Sequence, residues 1–166
     1  MAQRKEHQMR RQQARPRPLK GDPIYKNVLV TKLINRAMRD GKKSVIEKEV
    51  YKAFEIIAEK TKEDAMKIFK LALENIMPTM EVRARRIGGA AYQVPVSVRG
   101  VRRESLAIRW LVTMSRTRSN SEYHTYAEKL AAEIIDASKG EGLSVKKKMD
   151  IEKLAESNRA FSHFKW

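Results

Sequence analysis

The apolar residues change period between Glu81 and Val98, and that change limits the architectures open to the chain. On either side they recur at three- and four-residue steps, the signature of amphipathic helices. Inside it, Glu81-Val82-Arg83-Ala84-Arg85 and Tyr92-Gln93-Val94-Pro95-Val96-Ser97-Val98 alternate at the two-residue step of a strand, around a Gly88-Gly89 turn signal. Pro95 lacks an N–H and has no place in a central strand. The first strand carries Arg where a buried strand would carry Val. A lone hairpin is marginal in water. The segment therefore reads as a basic two-stranded ribbon at about residues 80–98 that reaches toward a partner.

The flanking segments predict about six helices. Ile24, Val28, Leu29, Leu33, Ile34 and Ala37 form the first stripe, opened by Asp22-Pro23 and stopped by Asp40-Gly41. Ser44 and Glu47 have the spacing of a capping box for the second helix, with Val50, Phe54, Ile57 and Ala58 inward. Thr61-Lys62-Glu63-Asp64 starts a third, striped by Met66, Phe69, Leu73 and Ile76 and closed by Pro78. After Gly100, Leu106, Ala107, Trp110, Leu111 and Met114 share a face, with Trp110 read as core. Ser119-Asn120-Ser121 caps the next helix, whose stripe is Tyr123, Ala127, Leu130, Ile134 and Ala137 and whose end is marked by Gly140 and Gly142. A last helix is expected from about Ser144 to Asn158, with Val145, Met149 and Leu154 inside. The fold class is mainly α: a single domain over residues 21–166, with a protruding basic β-hairpin between the third and fourth helices. Residues 1–20, rich in Gln and Arg and without an apolar period, read as a basic flexible N-terminal arm.

Charge says what such a ribbon is for. The chain has 36 Lys and Arg against 20 Asp and Glu, net +16. So large an excess repels itself in the compact state, and a polyanion relieves that repulsion. The excess is concentrated: residues 1–20 carry net +6 and residues 81–118 net +7, while residues 119–166 are neutral. All nine basic residues of 81–118 are Arg, whereas residues 21–80 carry ten Lys and two Arg. Lys is the ordinary solubilising base; the planar fork of Arg grips phosphate in two places and stacks on bases. An all-Arg stretch points to contact with nucleic acid. Tyr92, just past the turn, serves either to stack on a base or to pack against the ribbon's own face.

Other function classes find little in the residues. His7, His124 and His163 lack ligand spacing, and with no Cys there are neither disulfides nor thiolate metal sites. Gly41-Lys42-Lys43 lacks the upstream Gly of a phosphate-binding loop. The carboxylates are scattered among Lys as surface ion pairs would be. No enzyme, cofactor, metal or small-molecule substrate is expected. No run approaches the roughly 18 apolar residues of a membrane span, and Met1-Ala2-Gln3-Arg4-Lys5 does not open a signal peptide.

Taken in order, specific motifs carry a resemblance. They are Asp22-Pro23-Ile24-Tyr25, Ile34-Asn35, Gly41-Lys42-Lys43, Glu81-Val82-Arg83-Ala84-Arg85-Arg86-Ile87-Gly88-Gly89 and Tyr92-Gln93-Val94-Pro95-Val96. After them come Arg102-Arg103, Leu106-Ala107-Ile108-Arg109-Trp110, Val145-Lys146-Lys147-Lys148, Ala155-Glu156 and Asn158-Arg159-Ala160-Phe161. From about Asp22 to Trp166 the chain closely resembles the seventh small-subunit ribosomal protein family, in its bacterial or organellar form. The resemblance implies a helical domain with an extended hairpin that binds small-subunit ribosomal RNA at a multi-helix junction of the head and helps that head assemble. It implies a position near exit-site transfer RNA and the messenger path, beside neighbouring small-subunit proteins, in the ribosome of the cytoplasm or of an organelle. Carried over residue by residue, its RNA-facing parts are Arg10, Arg11, Arg15, Lys42, Lys43, Arg83, Arg85, Arg86, Arg99, Arg102, Arg103, Arg109, Lys146, Lys147 and Lys148. Arg116 and Arg118 join them on charge alone. Where the family opens with a short dense basic run, this chain has a longer, Gln-richer one interrupted by Glu6.

An alternative of another class is an architectural DNA-binding protein using its basic β-ribbon. Such proteins are usually shorter and dimeric, and the neutral last quarter with two helices is surplus to that design.

Overall fold

A computed structural model describes residues 18–164. Its helices are α1 (Val28–Ala37), α2 (Lys43–Thr61), α3 (Ala65–Ile76), α4 (Gly100–Thr117), α5 (Tyr126–Ser138) and α6 (Leu143–Ser157), followed by a 3₁₀ segment, Arg159–Phe164. Strands β1 (Met80–Ile87) and β2 (Ala90–Ser97) lie between α3 and α4. The predicted class, mainly helical with one hairpin at that position, is what the chain adopts. The arm predicted at 1–20, with Arg10, Arg11 and Arg15, lies outside the described residues except for its last three.

The chain divides into two compact units, one ending at Thr31 and the other running from Lys32 to Trp166. In the first, the Asp22 carboxylate accepts from the backbone N–H groups of Ile24 and Tyr25, both at 3.1 Å, and turns the chain. Asn27 Oδ1 then accepts from Leu29 N at 2.8 Å, so the helix starts at Val28. Ile24, expected in the first stripe, is left outside the helix and exposed.

The second unit is built around α5, which packs against α2, α3, α4 and α6. Four of its buried residues are alanines, Ala127, Ala131, Ala132 and Ala137, and their small side chains let four neighbours approach one helix. Large residues close the gaps: Phe54 of α2 meets Phe69 of α3 with ring centroids 5.5 Å apart in a tilted arrangement, and Leu111 and Ile134 are fully buried. Trp110 is buried, as expected of core.

Three local expectations are corrected. Ser44 and Glu47 do not form a capping box: α2 has Lys42 at its N-cap with no side-chain cap, and Glu47 instead faces Lys43 at 3.4 Å. The cap of α5 is Thr125, which accepts from Glu128 N while Glu128 returns to the Thr125 backbone; Ser119-Asn120-Ser121 lies in the preceding loop, and Tyr123 with it. In α6, Met149 is 57% and Leu154 45% exposed. The buried positions are Ser144, Val145 and Ala155, and at 100° per residue Leu154 stands half a turn round from Val145. Three consecutive Lys and a weak apolar stripe left that face unreadable from spacing.

The ribbon is antiparallel, with Glu81 opposite Val96, Arg83 opposite Val94 and Arg85 opposite Tyr92. Its base is packed. Val94, Pro95 and Val98 are buried, α6 lies against β1, and the 3₁₀ segment lies against β2. Gly88 and Gly89, both with positive φ, make the two-residue turn that Cβ-bearing residues adopt only with strain.

Candidate nucleic-acid interface

An unpaired cation on the surface is available to an anion; one spent on a carboxylate or a carbonyl is not. The structure sorts the basic residues on this basis. Lys42, Arg86, Arg99, Arg109, Lys146 and Lys147 are exposed, and no ion pair engages them among the described residues. Arg86 is on the ribbon near its turn, Arg99 at the entry to α4, Arg109 on α4, and Lys146 and Lys147 on the first turns of α6. Lys43 is exposed and meets Glu47 only in a solvated i,i+4 pair. Arg85 is half-buried opposite Tyr92.

On α4, Arg102, Arg109 and Arg116 are spaced by seven residues, so they form one row with steps of about 10.5 Å. Its two ends are held from below. At the N-terminal end Arg102 donates through Nε to both oxygens of Glu81 at 2.8 Å, and Arg83 Nε donates to Glu81 Oε1 at 2.5 Å. Glu81 is buried at the root of the ribbon, while both guanidiniums are about half exposed. One carboxylate thus fixes two arginines from different elements and leaves their outer faces toward solvent. Burial raises the Glu81 pKa, but hydrogen bonds from Arg102 and Arg83 and their charges outweigh it and hold the carboxyl below its usual range. At the other end Arg116 Nη2 donates to the Ala37 carbonyl at 2.5 Å, satisfying a group at the C-terminus of α1.

Other predicted residues are engaged inside the frame. Arg118, only 11% exposed, pairs with Glu133 at 2.7 Å and with Asp136. Lys148 Nζ donates to the Asn75 carbonyl at 2.9 Å. The Tyr92 ring sits between Phe161 and Phe164 of the 3₁₀ segment, 5.4 Å from each centroid. Of its two readings the packing one describes its surroundings. Arg103 is half-buried with its Nε enclosed and without a partner.

Sequence reasoning passed over Arg39. It is exposed and unpaired among the described residues, and lines a concavity with Lys42, Val45, Ile46, Arg116 and Tyr126. The signal available was its place beside the Asp40-Gly41 turn, next to Lys42-Lys43. No group of three or more His, Cys, Asp or Glu among the described residues is arranged to hold a metal ion, and no helix there is long and apolar enough to cross a membrane.

Comparison with known proteins agrees with this surface. The family model described as "Ribosomal protein S7p/S5e" matches residues 9–159. A small ribosomal subunit protein uS7 of Rhodopseudomonas palustris is 53% identical over 157 residues, covering 95% of this chain and 99% of the relative. That of Carboxydothermus hydrogenoformans is 57% identical over 145 residues, 87% of this chain and 91% of the relative. That of Streptococcus mutans is 54% identical over 157 residues, 95% and 99% of the two chains. With matches of this identity along nearly its whole length, and with the ribbon and α4 at its centre, the chain belongs to the ribosomal protein S7p/S5e family.

Proposed function

We propose that the chain is a structural constituent of the small ribosomal subunit and acts by binding small-subunit ribosomal RNA. The observation that carries this reading is the family match over residues 9–159. Its relatives are small-subunit proteins by name. The exposed arginines of the ribbon and α4 supply the matching chemistry. The role is structural and not enzymatic. The architectural DNA alternative finds no support in these relatives.

In finer detail, the target is a multi-helix junction of the head domain, near exit-site transfer RNA and the messenger path and beside neighbouring small-subunit proteins. Double-stranded RNA hides its base edges in a deep groove, so a junction is recognised by how several backbones are placed. The row Arg102–Arg109–Arg116 and the ribbon's Arg83, Arg85 and Arg86 offer charge in two directions from one root at Glu81. Lys42, Lys43, Lys146 and Lys147 extend the surface, and residues 1–20 form an arm that reaches a further segment. Binding at several points selects one RNA arrangement and thereby promotes head assembly.

The test is competition. Head-domain junction RNA should displace scrambled RNA and duplex DNA of equal length, and its advantage should survive higher salt. Equal binding to all three, vanishing together with salt, would leave only a basic protein and return the DNA reading.

A further inference from the structure

The concavity beside the C-terminus of α1 has the make-up of a nucleotide pocket. Its volume is about 380 Å³, at the small end of ligand-sized pockets (~300–1,000 Å³). Three of its lining residues are cations, Arg39, Lys42 and Arg116, and none is an acid. Its floor is apolar: Val45, on the first turn of α2, is 58% exposed, and Ile46 is half-buried beside it. Tyr126 closes one side. Its hydroxyl lies near Ser115, whose own hydroxyl donates to the Val112 carbonyl, and it is buried without a hydrogen-bond partner in the described structure. The Arg116 guanidinium, fixed by the Ala37 carbonyl, stands 5.8 Å from the Tyr126 ring centroid.

These features ask different things of an occupant. An inorganic anion would answer the cations and leave Val45 in water. An apolar peptide side chain would cover Val45 and bury cations without a counter-charge, which is costly. A nucleotide offers a phosphate, a flat face and hydrogen-bonding edges together. We propose that this concavity takes one unstacked nucleotide of the bound RNA, with its phosphate against Arg39 and Lys42 and its base over Val45 and Ile46. The inference rests on the ribosomal reading for the source of that nucleotide.

The test uses the full chain with labelled Val and Ile methyl groups, titrated separately with the four nucleoside 5′-monophosphates, inorganic phosphate and an acidic peptide. At least one monophosphate should shift the Val45 and Ile46 methyl signals, and phosphate alone should not. In parallel, Val45→Ala, Tyr126→Phe and Arg39→Ala are compared for binding to junction RNA. Val45→Ala and Arg39→Ala should each weaken it about tenfold, the loss expected of one stacked base contact. Tyr126→Phe should weaken it about threefold while leaving the free protein at least as stable, because an unpartnered buried hydroxyl is removed. Unchanged RNA affinity in Val45→Ala and Tyr126→Phe, with only Arg39→Ala weaker, would reduce the site to a phosphate contact and overturn the pocket while the ribosomal reading stands. Methyl shifts with the peptide and with no nucleotide would overturn it as well. If the parent chain ignored junction RNA, the ribosomal reading would fail, and the monophosphate titration would still decide the pocket.

Discussion

Arg118 Nε donates to Glu133 Oε2 at 2.7 Å, at the centre of a buried network that joins three elements. Glu133, on α5, is 0% exposed. Its other oxygen accepts from Ser144 N at 2.7 Å and Ser144 Oγ at 2.6 Å, so it also caps the start of α6. Arg118 follows α4 and reaches Asp136 as well. Lys129 Nζ closes the loop by donating to the Arg118 carbonyl. The carboxylate is tolerated in the core because each oxygen has partners.

Arg118→Ala is therefore expected to cost about 3–5 kcal/mol, the usual result of stranding one member of a buried pair. Urea unfolding measures it. Any loss of RNA affinity should track the unfolded fraction, and a folded, fully stable variant with weaker RNA binding would reassign Arg118 to the interface.

Glu81→Gln separates positioning from simple electrostatics. Removing a negative charge from a basic surface should strengthen RNA binding if only net charge counts. If Glu81 holds Arg83 and Arg102 in place, affinity should fall several-fold although the net charge has become more positive. Filter binding at one salt concentration reads the sign.

Acid should act through the same carboxylate. The folded-state pKa of Glu81 is depressed, so its stabilising contribution is complete above the ordinary carboxylate value and is lost as pH falls through the depressed one. Unfolding curves of the parent and Glu81→Gln should differ at about pH 6 and converge by about pH 3. A gap that persisted in acid would mean that Glu81 does not act through its charge.

The capping box of α5 offers a cleaner local test. Thr125 Oγ1 accepts from Glu128 N at 3.3 Å, and Glu128 Oε2 accepts from His124 N at 2.8 Å. Thr125→Ala should cost about 1 kcal/mol in urea unfolding. Ser121→Ala, in the stretch sequence reading had chosen, should cost less than half as much.

Tyr92 ties the ribbon to the end of the chain. Phe161→Ala should loosen β2 without unfolding the helical body, because the aromatic cluster lies on the ribbon's side of the molecule. Hydrogen exchange would show faster amides in 90–97 and unchanged protection in α5. Uniform loss of protection would contradict a local role.

Much of this was legible in the residues, for identifiable reasons. The switch of period at Glu81 and the paired Gly residues mark the ribbon because strand and helix periods are distinct and a tight turn needs positive φ. The all-Arg composition of 81–118 marks the contact region. What stayed hidden depends on pairing across the fold. Arg118 looks like Arg109 in sequence, and only the arrival of Glu133, fifteen residues on, turns it inward. Lys148 differs from Lys147 only in meeting the Asn75 carbonyl. Met149 and Leu154 look like core because α6 carries so few apolar residues that any of them suggests a stripe. Arg39 was missed because isolated bases around a turn have no periodicity.

The central claim is that unpaired arginines grip RNA while partnered cations build the frame. Salt dependence tests it most directly. The slope of log affinity against log salt for junction RNA is compared among the parent chain, a double variant with Arg86→Ala and Arg109→Ala, and Lys148→Ala. The account predicts a slope shallower by about two in the double variant, one for each lost phosphate contact, and an unchanged slope in Lys148→Ala. An unchanged slope in the double variant, or an equal change in Lys148→Ala, would contradict it.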